Sequence, residues 1–190
     1  SSRLRVGTPL RPPPKRRAAV TAHGTSVHGG KYLVSGGLGG LGLRAASILA
    51  STKRACWLVL TSRSGRVARD GQGLGDQLLA VQYSAASALT VLACDVADAK
   101  DAQHALGRRP PAKCSSLLQD GGAFGVVHAA GVLHDALLWK MSRRSISHVY
   151  APKAGGAYCL HNATTQSPSS DFLMYSSDAS CLGNLGQANY

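Results

Sequence analysis

Three residues in the last quarter of this 190-residue chain have the types and order needed to put a proton on a carbonyl oxygen: Lys153, Ser177 and Tyr190. Reducing a ketone by hydride requires a group that protonates the oxygen as it becomes an alkoxide. A phenol can do this once a nearby cation lowers its pKa from about 10. A serine hydroxyl can hold the same oxygen, and a lysine can supply the cation. Taken singly the three are ordinary, since tyrosine is usually core, lysine usually solvated, and a serine after a strand usually a turn. Their chemistry therefore depends on a scaffold that brings them together and on a hydride source.

The stretch Tyr32–Gly42 supplies both. An apolar run short enough for a buried strand becomes five glycines in seven residues, then continues into the helix-like Leu43–Leu49. Strand, glycine turn, helix is the context of a phosphate site. Glycine permits the tight turn and close approach to a pyrophosphate, and the helix start adds free N–H groups and partial positive charge. Gly36, Gly39 and Gly42, spaced by three, carry this geometry, with Gly37, Leu38, Gly40 and Leu41 between them.

A second strand, Trp57–Thr61, ends at Ser62-Arg63-Ser64. In a dinucleotide fold this point faces the adenosine ribose, where a carboxylate binds a 2′-hydroxyl and an arginine accommodates a 2′-phosphate. Downstream of the strand the first carboxylate is Asp70, so Arg63 points to NADP rather than NAD. A solvated loop arginine is the competing reading.

The remaining elements follow in alternation. Residues 66–75 read as a surface loop and about 75–88 as a helix. A third strand, Thr90–Cys94, ends at Asp95-Val96, and Asp98 is a candidate N-cap for the next helix. The prolines at 110 and 111 and the glycines at 121 and 122 mark residues 107–123 as a long connection. A fourth strand, Gly125–Ala129, runs into Ala130-Gly131, small residues that would let the backbone approach ribose and nicotinamide. His128 on this strand reads as a packed, satisfied polar residue rather than a catalyst. One long helix is expected over about 142–163, then a fifth strand, Phe172–Ser176. Alternation of this kind implies an α/β fold, a doubly wound parallel sheet with right-handed crossovers.

Composition bounds the rest. A hydrophobic content of 44% suits one domain with a real core, and no apolar run approaches a membrane span. The five cysteines lack C-x-x-C spacing, so neither a disulfide framework nor a zinc site is indicated. They suit a reducing compartment, the cytoplasm or a plastid. The net charge of +12 raises nucleic-acid binding, but seven of the 21 basic residues lie at or before Lys31 and no nucleic-acid motif accompanies the others. Residues 1–30, rich in Pro and Arg, read as a basic interdomain linker, with an import presequence as the alternative. The domain proper is then 31–190, and a chain starting with Ser and stopping at Tyr190 reads as part of something longer.

Together these motifs resemble the ketoreductase domain of modular or iterative type I polyketide synthases, in the short-chain dehydrogenase/reductase superfamily. The resemblance is carried by the glycine stretch 32–42, Ser62-Arg-Ser-Gly65, Cys94-Asp-Val-Ala-Asp98, His128-Ala-Ala-Gly-Val-Leu-His-Asp135, Ala151-Pro-Lys153 and the run from Ser176-Ser177 to Gly186-Gln-Ala-Asn-Tyr190. It implies a Rossmann-like sheet of strand order 3-2-1-4-5, truncated before strands 6 and 7. It implies NADPH bound by the glycine loop, Ser62, Arg63 and Ser64, with Asp95 and Val96 beside adenine and Ala129, Ala130 and Gly131 along the ribose. Tyr190 becomes the proton donor, Ser177 the carbonyl-orienting serine and Lys153 their support. The substrate would be a β-ketoacyl chain on the phosphopantetheine of an acyl carrier protein, with other synthase domains as partners. Leu133-His134-Asp135 keeps the last Asp of the family's stereochemical motif, and Leu182 stands where the opposite type has tryptophan. Both point to the B-type, which gives a D-hydroxyl, although Asp135 also suits a helix N-cap. Type I fatty acid synthase ketoreductases are close relatives, and a silent scaffold domain of a megasynthase is the competing class. Since the resemblance places further strands and an asparagine beyond Tyr190, residues 1–190 alone are expected to be inactive.

Overall fold

A computed structural model describes residues 29–67, 72–84, 87–119, 123–165 and 171–190. The expected linker therefore lies almost wholly outside the described residues, as does the middle of the loop expected at 66–75. Five strands form one parallel sheet: β1 (Gly30–Ser35), β2 (Ala55–Ser62), β3 (Ala88–Ala93), β4 (Phe124–His128) and β5 (Asp171–Met174). Their order is β3-β2-β1-β4-β5, as expected. The central strand β1 sets Leu33 beside Val59 of β2 on one edge and beside Val126 of β4 on the other.

Strand alternation sorts the core into two layers. Tyr32, Val34, Leu58 and Leu60 face the helices α1 (Gly40–Ser51) and α2 (Leu74–Tyr83), packing on Leu43, Ala46 and Val81. Leu33, Trp57, Val59 and Val126 face the other way, onto Ala102 and Ala105 of α3 (Ala99–Leu106), Cys114 of α4 (Ala112–Gln119) and Leu160 of α6 (Gly156–Thr164). Both faces of the sheet are thus covered, which explains the near-continuous apolar runs of β1 and β2. At the end of the sheet away from the glycine turn, the buried Lys31 amine donates to the carbonyls of Leu106 and Arg108 and stacks 4.7 Å from the Trp57 ring centre. A lysine thereby satisfies carbonyls left over at the end of α3.

Two expectations require correction. The connection expected over 107–123 contains α4, which starts directly after Pro110-Pro111, because proline fixes φ for a first turn as readily as it breaks an interior one. The single helix expected over 142–163 is interrupted. After α5 (Arg143–Tyr150), opened by a Ser142–Ser145 capping box, comes a π-turn, Ala151–Gly155, before α6. Pro152 has no N–H to continue the α ladder, and the Gly156 N–H reaches back five residues to the Ala151 carbonyl. Lys153 sits inside this widened turn. A short helix, α7 (Ala179–Leu182), precedes the final loop. The expected Asp98 cap is present, its carboxylate accepting from the N–H groups of Lys100 and Asp101. Among the described residues no helix is long and apolar enough to cross a membrane.

Candidate functional site

The carboxyl ends of β1, β2, β3 and β4 converge on a cleft of about 380 Å³, the usual ligand position in an open α/β sheet. Gly36 turns the chain out of β1 with φ +66, and a Cβ there would lie 2.6 Å from the Ala129 carbonyl. Gly42 packs so closely on the same turn that its Cβ would lie 2.6 Å from Gly37 Cα. Between them α1 begins with no side-chain cap and no acidic residue in its first turn. Its first N–H groups are therefore available to an anion, and at Gly39 and Gly40 nothing approaches a Cβ closer than 3.4 Å. Such a cradle fits a pyrophosphate.

Gly36, Leu38 and Gly39 form one wall of the cleft, with Ser62, Arg63 and Ser64 at the end of β2. Asp95 and Val96 after β3, and Ala129, Ala130 and Gly131 after β4, complete it. Gly37, Gly40 and Gly42 do not line it: Gly37 is buried against Leu60, and Gly42 holds the turn from beneath. Thr61 also lines the cleft, and its buried hydroxyl has no hydrogen-bond partner among the described residues.

The cleft continues past Ala129–Gly131 into a cavity of about 450 Å³ lined by Leu41, Lys153 and Tyr190. The Lys153 ammonium lies 3.5 Å from the centre of the Tyr190 ring. The Tyr190 hydroxyl is held below the usual phenol range, first by the Lys153 ammonium, against the effect of burial, and then by the Ser177 hydroxyl. The three residues picked out from sequence thus meet at one point, although 37 positions separate the lysine from the tyrosine (190 minus 153). A phenol so placed gives up its proton more readily than a free one. Ser177 and Tyr190 also share the next depression along the surface, lined by Leu133, Leu182 and Gln187.

Residues 30–190 match the KR domain family model. The chain belongs to the KR domain family. These are the ketoreductase domains of polyketide synthases, within the short-chain dehydrogenase/reductase superfamily. The relatives are consistent with this. The chain is 35% identical over 161 residues to the spectinabilin polyketide synthase system protein NorB of Streptomyces orinoci, covering 85% of this chain and 7% of that protein. It is 38% identical over 161 residues to the polyketide synthase GfsB of Streptomyces halstedii, covering 85% and 3%. Among solved structures, one described as A-type ketoreductases from a modular polyketide synthase superposes with a TM-score of 0.70 at 31% identity, covering 86% of this chain and 32% of that one. A ketoreductase domain from the bacillaene assembly line gives 0.68 at 28% identity, covering 86% and 36%. The chain therefore spans less than a tenth of these synthases and about a third of these ketoreductase chains.

Several residues of this KR domain reach the site without having been given a role in it from sequence. Thr61, Arg66, Cys94, Val132 and Pro152 line the glycine-walled cleft, and Tyr175 and Ser176 the cavity beside Tyr190. Strand-end position was the available signal for Thr61, Cys94 and Tyr175. Pro152 appeared only as a member of the Ala151-Pro-Lys153 motif, and its place in the cleft depends on the π-turn.

Proposed function

We propose that this KR domain reduces a β-ketoacyl thioester, carried on the phosphopantetheine of an acyl carrier protein, to the β-hydroxyacyl thioester using NADPH. The observation that supports this most directly is the Lys153 ammonium 3.5 Å from the Tyr190 ring centre, at the inner end of a glycine-walled cleft. Bound NADPH would supply the hydride. The backbone of Gly36, Leu38 and Gly39 and the start of α1 would hold its pyrophosphate, and Arg63 with Ser62 and Ser64 its 2′-phosphate. Asp95 and Val96 would border the adenine, and Ala129–Gly131 the ribose. Ser177 donates a hydrogen bond that holds the substrate oxygen, Tyr190 passes its proton to that oxygen as negative charge develops, and Lys153 steadies the phenolate left behind. Leu133-His134-Asp135 together with Leu182 supports the B-type product, the D-hydroxyl. Neighbouring synthase domains would deliver the carrier and receive the product.

The experiment is NADPH oxidation by the full-length protein on addition of a β-ketobutyryl thioester. Tyr190→Phe should lower the rate by roughly 10²–10⁴ while leaving NADPH binding in place, the usual size of a lost general acid. Undiminished turnover in that variant, or no reduction by the unmodified protein, would refute the assignment.

A further inference from the structure

His128 closes β4 beside the site without touching the cavity that holds Tyr190. It is 4% exposed, and both ring nitrogens are engaged. Nδ1 lies 2.6 Å from the Ser35 hydroxyl, and Nε2 lies 2.9 Å from the Lys153 backbone carbonyl. A carbonyl only accepts, so Nε2 carries the proton; in the neutral ring Nδ1 then accepts, and Ser35 donates to it. Burial holds the ring below the usual histidine range, against the carbonyl contacts of the turn, which keeps it neutral. Two partners on different elements thus fix one tautomer.

The location gives this pair of bonds its consequence. Ser35 is the last residue of β1, immediately before the turn at Gly36. Lys153 lies in the π-turn, where regular helical bonding is interrupted and something else must hold the backbone. The ring also packs tightly on the following turn: a Cβ on Gly156 would lie 3.1 Å from His128 Cε1 and 2.9 Å from Val96. We propose that His128 is a positioning residue, holding the π-turn in the register that sets the Lys153 ammonium against Tyr190. This rests on the reading of Tyr190 as the proton donor.

The test uses the reverse reaction, oxidation of a β-hydroxybutyryl thioester by the full-length protein with NADP. There Tyr190 must accept the proton, so the rate rises with pH through its pKa. The groups that lower that pKa are the Lys153 ammonium and the Ser177 hydroxyl. His128→Asn can still pair with Ser35 but loses the donor to Lys153, whereas His128→Gln places an amide N–H where Nε2–H stood. His128→Asn should move the pH limb upward by about one unit, as withdrawal of a neighbouring cation does, and His128→Gln should restore it. A merely structural role would lower the thermal midpoint of both variants and leave the limb where it was, which would overturn the proposal. If His128→Asn does not fold, Ser35→Ala replaces it, with a smaller upward shift expected; a folded Ser35→Ala protein with an unmoved limb counts equally against. Tyr190→Phe, run alongside, separates the two readings. If it abolishes oxidation, an unmoved limb in His128→Asn refutes the role of His128 alone; if oxidation keeps the same limb, the functional reading falls and this proposal with it.

Discussion

The carboxylate of Asp135 and the side-chain amide of Gln187 meet across 52 positions of sequence, at 3.1 and 3.3 Å. Two further bonds tie the same segments: the Asn189 amide donates to the His134 carbonyl at 2.9 Å, and the Ala136 N–H to the Gly186 carbonyl at 2.9 Å. Asp135 caps no helix, since the next helical turn, Leu138–Lys140, is preceded by Leu137. The segment read as a stereochemical fingerprint is instead fastened to the loop that delivers Tyr190. On the proposed B-type reading, reduction of a diketide thioester should give mainly the D-hydroxy product, and Gln187→Leu should erode that preference several-fold, the order expected for one lost hydrogen bond. Chiral chromatography reads both, and a mainly L-configured product would exclude the B-type assignment.

Cofactor choice is tested at Arg63. It lines the cleft just past the end of β2, and a phosphate contact from a guanidinium is charge-assisted. Arg63→Ala should weaken NADPH roughly thirtyfold and NADH hardly at all. Titration of nucleotide fluorescence compares the two, and equal losses would make Arg63 an ordinary loop residue.

Two glycines in the first turn of α1 should respond in opposite ways. A Cβ at Gly42 runs into the backbone of Gly36 and Gly37, which cannot move without opening the turn, whereas at Gly40 the nearest atom is Leu74 Cδ2 at 3.9 Å. Gly42→Ala should cost more than about 2 kcal/mol of stability. Gly40→Ala should add about 0.5 kcal/mol by restricting the unfolded chain. Urea midpoints that fall together would show that the room at Gly40 is not real.

Alkaline pH should destabilise the protein. Burial pushes the Cys94 thiol up to about 11, with Asp101, Asp95 and Asp98 adding to the effect. Burial likewise pushes the Tyr32 phenol up to about 12, helped by its hydrogen bond to Asp171, and it raises the Cys56 thiol. These groups keep their protons in the folded state while the unfolded chain loses them from about pH 9 for thiols and 10 for the phenol. Their stabilisation is complete below pH 9 and disappears as pH climbs through about 11 to 12. Lys31 acts in the opposite sense: burial holds its amine down to about 8, so it adds stability between about 8 and 10.5. Against it stand three acids, so the urea midpoint should fall above about pH 10. Cys94→Ala should make that fall shallower; an identical slope in the variant would show that Cys94 does not contribute.

Much of this arrangement was legible in the chain because the signals were local. The strand–glycine–helix run of Tyr32–Leu49, the Asp98 cap and the β/α alternation each depend on neighbouring residues, whereas the strand order was implied only by the resemblance of the motifs to a known family. Lys153, Ser177 and Tyr190 were recognisable by type, and the fold brings them together. What stayed hidden depends on register or on partners far away in sequence. Pro110-Pro111 signals a break and a helix start alike, so α4 was read as a connection. No local pattern distinguishes an α-turn from the π-turn around Pro152. His128 was legible as a packed polar residue, but its bond to the Lys153 carbonyl exists only once that turn is formed.

The turn at Gly36 rests against the Ala129 carbonyl, and this contact also has a temporal side. The side chains that close the two strands, Ser35 and His128, are 93 residues apart and leave the ribosome at correspondingly different times. The strands β1, β2 and β3 pair with sequence neighbours, but the floor of the cleft needs β4, which lies against the other edge of β1. A nicotinamide cofactor held in the cleft would touch both sides of that junction. By mass action it would stabilise the pairing of β1 with β4, whose residues are the most widely separated in sequence of any two paired strands among the described residues. A ligand bound at that junction should thus hold the two halves of the sheet together against unfolding, before any turnover takes place.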